Sequence, residues 1–442
     1  MTLATVAIDD RYLAAFESRR GGAEPRAREG MRRRAIERFA ELGFPTMRQE
    51  DWRFTNVGPI ARTDWEIADG GEPVDATDIE PYVYPDMYRA VFVNGRLQED
   101  LSRLEGLPEG VTVTHLAAAL AAGHPAVEEH LGAHASFENQ AFVALNTAFF
   151  ADGALVHVAD GVVLEKPIQL VFVSRPAAAP RVAFPRNLVV AGENAQATVV
   201  ETYCGVGAGE MLTVPVTELV AGDAANLDHY RLQQELYDTH HVALQQYRTG
   251  RHTTLSSHSL SFGGRLVRND VRAELAGEGG SCTLNGLYLV KGRQHVDTHM
   301  WVEHIAPHCY SHELYKGLLE ERGRAVFNGL IHVHKGAQKT DGVQTYRNLL
   351  LSPDALVNTN PQLLIFADDV KCTHGSTVGQ LDADAVFYLR SRGIGEEAAK
   401  SLLIYAFARD IVDRVKLAPV RKDLEELLFS RLPKGEVVRQ AV

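Results

Sequence analysis

Cysteine is scarce in this chain, with four residues in 442: Cys204, Cys282, Cys309 and Cys372. They are scattered and never form a CxxC pair, which suits free thiols in a reducing compartment better than a disulfide framework. Long apolar runs are also missing. No uninterrupted stretch reaches the ~18 residues of a membrane-spanning helix. The opening "MTLATVAIDDRYL" lacks the basic-then-apolar order of a signal peptide, so the expectation is a soluble, cytoplasmic protein. Positive charge is in deficit too. A net charge of -12 argues against nucleic acid or an anionic membrane as the main partner, because phosphate recognition needs concentrated Lys and Arg. The one basic cluster, "MRRRAIER" (Met31–Arg38), has acidic flanks and reads as a solvated helix face.

The familiar catalytic motifs are absent as well. No GxxxxGK[ST] loop occurs; "GAQKT" (Gly336–Thr340) lacks its first half. "LSFGGRL" and "GVGAG" are glycine-rich but do not join a clear strand to a clear helix, and "TLSSHSLSFGG" contains no GxSxG elbow. Nucleotide hydrolysis and serine-hydrolase chemistry therefore have little support.

What is present falls into three segments. Residues 1–150 are mostly helical in pattern: "AREGMRRRAIERFAELG" carries apolar residues at helical spacing and stops at Gly43 and Pro45. "YRAVFVNG" interrupts as a strand, and "VTHLAAALAAG" and "FENQAFVALNTAFF" return to helix. Residues 151–380 change texture, with runs such as "ALVHVADGVVL", "PIQLVFVS" and "LTVPVTELVAGD" punctuated by Gly, Asn and Asp. So many strands in succession make a sandwich, barrel, propeller or solenoid. "GGSCTLNGLYLVKG" (Gly279–Gly292) matches "RGRAVFNGLIHVHKG" (Arg322–Gly336), with the two Asn-Gly pairs offset by 328 − 285 = 43 positions. Read as two turns of about 21–22 residues, the repeat favours a stacked β-helix over a β-sandwich. Residues 381–442 are helical again. Ala399, Leu402, Leu403, Ala406 and Phe407 share one face, continued by Ile411 and Val415. Pro419 opens a second helix with Leu424, Leu427, Leu428 and Leu432 on its stripe. These helices either pack on the β-core or serve as a docking arm.

Two groups could bind metal. Thirteen of the eighteen histidines lie between His229 and His374, and the sharpest group is "HIAPHCYSH": His304, His308, Cys309 and His312. "HVH" points His332 and His334 to one face of a strand. Such a pair in a β-rich chain resembles the cupins, and a cupin-like metalloenzyme is the alternative reading, but the cupin glutamate is missing from the following "KGAQKTDG". The second group is in "DDVKCTHGSTVG" (Asp368–Gly379), after "LLIFA", which reads as a buried strand. Cys372 and His374 would share one strand face about 7 Å apart, able to hold a soft metal jointly, with Lys371 aiding the thiolate. The alternative is a packed cysteine and a strand-end histidine.

Two stretches carry a resemblance. "ADDVKCTHGSTVGQLDADAVFYLRSRGI" (Ala367–Ile394) and "FPTMRQEDWRFTNV" (Phe44–Val57), with Pro45, Thr46, Arg48, Glu50, Asp51, Trp52, Arg53 and Thr55 in place, resemble signatures of the SufB/SufD family, on its SufD side. "KTDGVQTYRNLLLSPDALVNTNPQLLIFADDV" matches as well, so the resemblance is effectively full length. The resemblance implies a non-enzymatic scaffold of the SUF iron–sulfur cluster assembly system: a right-handed parallel β-helix core between N-terminal and C-terminal helical domains. It further implies pairing with SufB through the β-helix, docking of the ATPase SufC on the C-terminal helices, and self-pairing when the chain is alone. His374 would stand at the cluster-forming interface with Cys372 beside it. The isolated chain would hold no tightly bound cofactor, only a transient cluster or iron in the complex. Where SufB carries a cysteine within "FYLRSRGI", this chain has Leu389.

Overall fold

The computed structural model describes residues 10–19, 26–68, 70 and 73–441. The opening stretch, residues 1–9, on which the signal-peptide expectation rests, lies outside them. Its centre is a parallel β-solenoid of about eight coils, with helices before and after. Each coil contributes one strand to each of two sheets. One sheet runs from Val111–His115 through Ala154–Val158 to Leu356–Ile365; the other runs from Arg96–Arg103 and Tyr88–Val93 to Lys371–Gly379. From the strand Leu266–Leu275 onward, most strands are ten residues long and bury alternate side chains in the lumen.

The coil is longer than the repeat suggested. Leu266 lies opposite His295 and His295 opposite Arg324, a spacing of 29 in each case (295 − 266 and 324 − 295). The 43-residue offset is therefore a coil and a half: Asn285-Gly286 belongs to one sheet and Asn328-Gly329 to the other. The likeness has a packing cause. A Cβ on Gly286 would come 2.1 Å from the Tyr315 ring, and one on Gly329 would come 2.0 Å from the Tyr346 hydroxyl. Each glycine makes room for an inward tyrosine, and the two rings flank Phe327 at 4.9 and 3.7 Å between centroids.

The strands begin before residue 150. Tyr88–Val93 pairs in parallel with Ile168–Ser174, and "VTHLAAALAAG" divides into the strand Val111–His115 and the helix Leu116–Ala121. Phe92, Phe172 and Tyr203 stack along the lumen at 5.1 and 4.9 Å. Deeper in, the lumen is polar and extensively hydrogen-bonded: Glu201 accepts from the Tyr203 and Thr217 hydroxyls, and His241 bridges Glu235 and Arg231.

The "FPTMRQEDWRFTNV" stretch clamps the N-terminal helices to the first sheet's outer face. Arg268 donates to the Asp51 carbonyl at 2.9 Å and to Asp297 at 2.6 Å, and its guanidinium lies 4.3 Å over Trp52. Thr55 hydrogen-bonds both His295 and Asp297. The basic run lies on the helix Arg26–Leu42, where Arg33 pairs with Glu37 and Arg38 with Glu41.

The C-terminal helices Glu396–Val412 and Ala418–Arg431 pack on the outer face of the second sheet. They bury Ile404, Tyr405, Ala408, Ile411, Val412, Leu424 and Leu428 against Leu232, Leu260, Leu287 and Leu318. The first helix is turned from the expected stripe: Ala406 is exposed, and Leu402 and Phe407 lie at the margin. Lys316, nearly buried, fastens it through Asp410 at 2.9 Å and the Phe407 carbonyl at 2.8 Å.

Candidate functional site

The two ends of the solenoid differ. At the N-terminal end the ladder closes with antiparallel strands, Arg96–Arg103 on Tyr88–Val93 and Val111–His115 on Ala154–Val158. Leu97, Leu104 and Leu107 plug the lumen there. At the other end Leu356–Ile365 and Lys371–Gly379 are the last strands of their sheets, each with one unpaired edge. "LLIFA" is thus a strand followed by a turn, but not a buried one. Leu364, Ile365 and Phe366 are exposed, as is Val378 across the lumen. Among the described residues nothing stacks on this coil, so residues in lumen-facing register meet solvent.

His374 and Cys372 lie on that coil and share one face, as their i, i+2 spacing requires. Cys372 pairs in register with Gly342, and its sulfur joins the small cluster of Ile331, Val333 and Ala337. Burial, with a smaller contribution from Asp341, pushes its thiol above the usual range, against the opposing effect of the Gly342 N–H. Lys371 is exposed and takes the other face, so the expected help toward a thiolate does not arise. Cys372 is a half-buried thiol with no activating cation among the described residues. His374, by contrast, is exposed at the mouth of the lumen.

Below His374 in register stand Gln344, then Glu313, then Leu284. Gln344 is fully buried with neither amide atom hydrogen-bonded, and Glu313 Oε1 is also unpartnered. Burial raises the Glu313 carboxyl to about 8, so it is protonated at neutral pH and can accept the Tyr346 hydroxyl at 2.9 Å without a buried charge. Ser376 donates to Thr359 at 2.8 Å, tying the two terminal strands together across the open coil. The arrangement is a solvent-facing imidazole over a column of neutral polar groups, framed by two unpaired strand edges and exposed apolar side chains.

The other histidines divide. The "HIAPHCYSH" residues do not converge. His304 is buried and bonded to Ser311 at 2.9 Å, Cys309 is buried against the Gly277 carbonyl, and His308 and His312 are exposed. His332 and His334 do come together, with ring centroids 4.2 Å apart. They are joined by Glu303 from the preceding coil, the one such group of three among the described residues. Sequence reading missed Glu303 because it used a 21–22-residue coil; at 29, Glu303 falls directly opposite His332 (332 − 303). A solenoid is not the closed barrel of a cupin, and the cupin-like reading falls with it.

Fold and site together define the class: a parallel β-solenoid protein, sealed at one end, with Cys372 and His374 on its open edge. Family comparison says which. The model of the SUF system FeS cluster assembly, SufBD core domain, matches residues 172–407, and that of the SufBD protein N-terminal region matches residues 7–170. An iron–sulfur cluster assembly SufBD family protein of Synechocystis is 32% identical, with 93% of this chain and 92% of that protein aligned. The iron–sulfur cluster assembly protein SufD of Escherichia coli is 30% identical (93% and 95%), and that of Bacillus subtilis 26% (97% and 99%). The chain belongs to the SufBD family of iron–sulfur cluster assembly proteins.

Proposed function

We propose that the chain is a non-catalytic, cytoplasmic scaffold subunit that pairs through its open end with SufB and presents His374 to the nascent cluster. The observation that carries this reading is the asymmetry of the solenoid. A two-sheet edge with exposed apolar side chains invites strand pairing with a second chain of the same cross-section. His374 lies on that edge, and Cys372 is its half-buried neighbour. The cluster, or its iron, is cargo: one imidazole and one masked thiol leave positions for the partner's ligands and hold nothing tightly alone. In isolation the same edge favours self-pairing.

SufC docking is assigned to the outward face of the C-terminal helices, because their apolar stripe is already covered by the second sheet. Deleting residues 396–442 would bare Leu232, Leu260, Leu287 and Leu318, so charge reversals on the outward face are the cleaner probe. The deciding experiment is the native mass of the chain co-expressed with SufB and SufC. The expected complex has one copy of this chain, one SufB and two SufC, and His374→Ala should assemble yet fail to mature a cluster. A chain that ignores SufB, or a His374→Ala variant that matures clusters normally, overturns the reading.

A further inference from the structure

Glu303, His332 and His334 bring a carboxylate and two imidazoles together on the outer face of the first sheet. One ligand atom from each lies within 4.8 Å of the others. His334 Nε2 already meets Glu303 Oε2 at 3.1 Å, and the His332 ring is tilted 31° against it. The two imidazoles are in ring contact without a hydrogen bond between them, and His332 Nδ1 is buried without a partner. The backbone settles the positions: Glu303 is opposite His332 in the ladder, and the chain turns directly after the strand ends at Val333. Donors on a bound ion at about 2.0–2.2 Å lie roughly 3.3 Å apart, so rotation of the three side chains closes the site without moving the strands.

We propose that Glu303, His332 and His334 form a binding site for a divalent first-row transition metal ion, loaded with ferrous iron in the cell. Two histidines and one carboxylate, all half-buried, leave positions open to water or to an exchanging ligand, as suits a labile site. The assignment of iron in particular rests on the scaffold reading above; the metal site itself does not. Its placement fits a reservoir. His332 lies one coil from the open edge with Phe366 5.7 Å from its ring, while Ile331 and Val333 on the opposite face of the same strand pack with Cys372. A single strand separates the proposed ion from the open-end thiol.

The test is an anaerobic titration of the full-length chain with Fe2+ against a chromogenic chelator, repeated with Zn2+ and with Co2+ for its visible bands. One equivalent should bind. The His332→Ala/His334→Ala variant should lose affinity beyond the roughly 10–100-fold that changes around a metal site, short of its ligands, produce. Glu303→Gln should weaken binding less, and His374→Ala and Cys372→Ser should leave it unchanged. Unaltered thermal unfolding of the apo variants separates lost ligands from lost fold. Absence of stoichiometric binding, or binding that survives the double variant but not His374→Ala, overturns the site. Binding of Zn2+ and Co2+ without Fe2+ overturns the iron assignment alone. Failure of SufB pairing with metal binding intact would sink the scaffold reading and spare the site.

Discussion

The two ends of one solenoid carry opposite solutions to the same problem. A parallel ladder always terminates in strands with unmet N–H and C=O groups. At the N-terminal end the chain reverses direction, adds antiparallel strands and fills the lumen with leucines, so Phe92 in the first parallel coil is fully buried. At the other end Leu356–Ile365 and Lys371–Gly379 simply stop, and Val378, in the same lumen-facing register, is 45% exposed. Parallel pairing of coil on coil is the same at both ends. What differs is whether this chain supplies the next layer, and at the open end it does not, which is why the pairing proposed above is assigned there.

Stability measurements can break that contrast. Phe92→Ala should cost about 3–5 kcal/mol in urea unfolding, as a buried aromatic truncated in a packed stack, whereas Val378→Ala should cost under about 0.5 kcal/mol. Comparable losses would mean that the open end is already covered in the isolated chain. Glu313→Gln tests the polar column beneath the open end. The Glu313 carboxyl is raised to about 8 when folded against an ordinary 4.5, so the folded state holds the extra proton and stability falls as pH rises from about 4.5 to 8. Glutamine removes that loss. The variant should match the parent near pH 4.5 and exceed it by a few kcal/mol at pH 8, on the scale of ~1.4 kcal/mol per pKa unit. An unchanged pH slope would show that water reaches the column.

A smaller effect is expected where the C-terminal helices cover the second sheet. Lys316→Ala removes the tie to Asp410 and Phe407; since Asp410 is 43% exposed, the loss should be about 1–2 kcal/mol, with faster hydrogen exchange confined to Glu396–Val412. Smallest for the fold is Val378→Lys: near zero in thermal unfolding, yet it should abolish pairing with co-expressed SufB by native mass. Pairing that persists would place the interface elsewhere.

Much of this was legible in the sequence, for identifiable reasons. Alternation and turn residues announced the strands, and the Asn-Gly likeness announced a repeat. The coil length was misread because the likeness joins opposite sheets, where glycine answers the same steric demand from Tyr315 and Tyr346. That error hid Glu303, whose partnership with His332 depends on the 29-residue coil. "LLIFA" was read as buried because hydrophobic content reports what a segment is suited to cover, not whether its cover lies in the same chain. The helix Glu396–Val412 is apolar on more than one side, so spacing could not choose between the Leu402 and Ile404 stripes.

By itself the sequence determined the element types, the absence of phosphate-loop and hydrolase motifs, the family signatures and the adjacency of Cys372 and His374, because all of these are local along the chain. Tertiary structure alone decided that Cys372 is half-buried while His374 faces solvent, that Glu303 meets two histidines, that Glu313 keeps its proton, and that one end of the solenoid is sealed. Each of those depends on which residues stand one coil away, and that distance is set by the closure of the coil rather than by any neighbour in sequence.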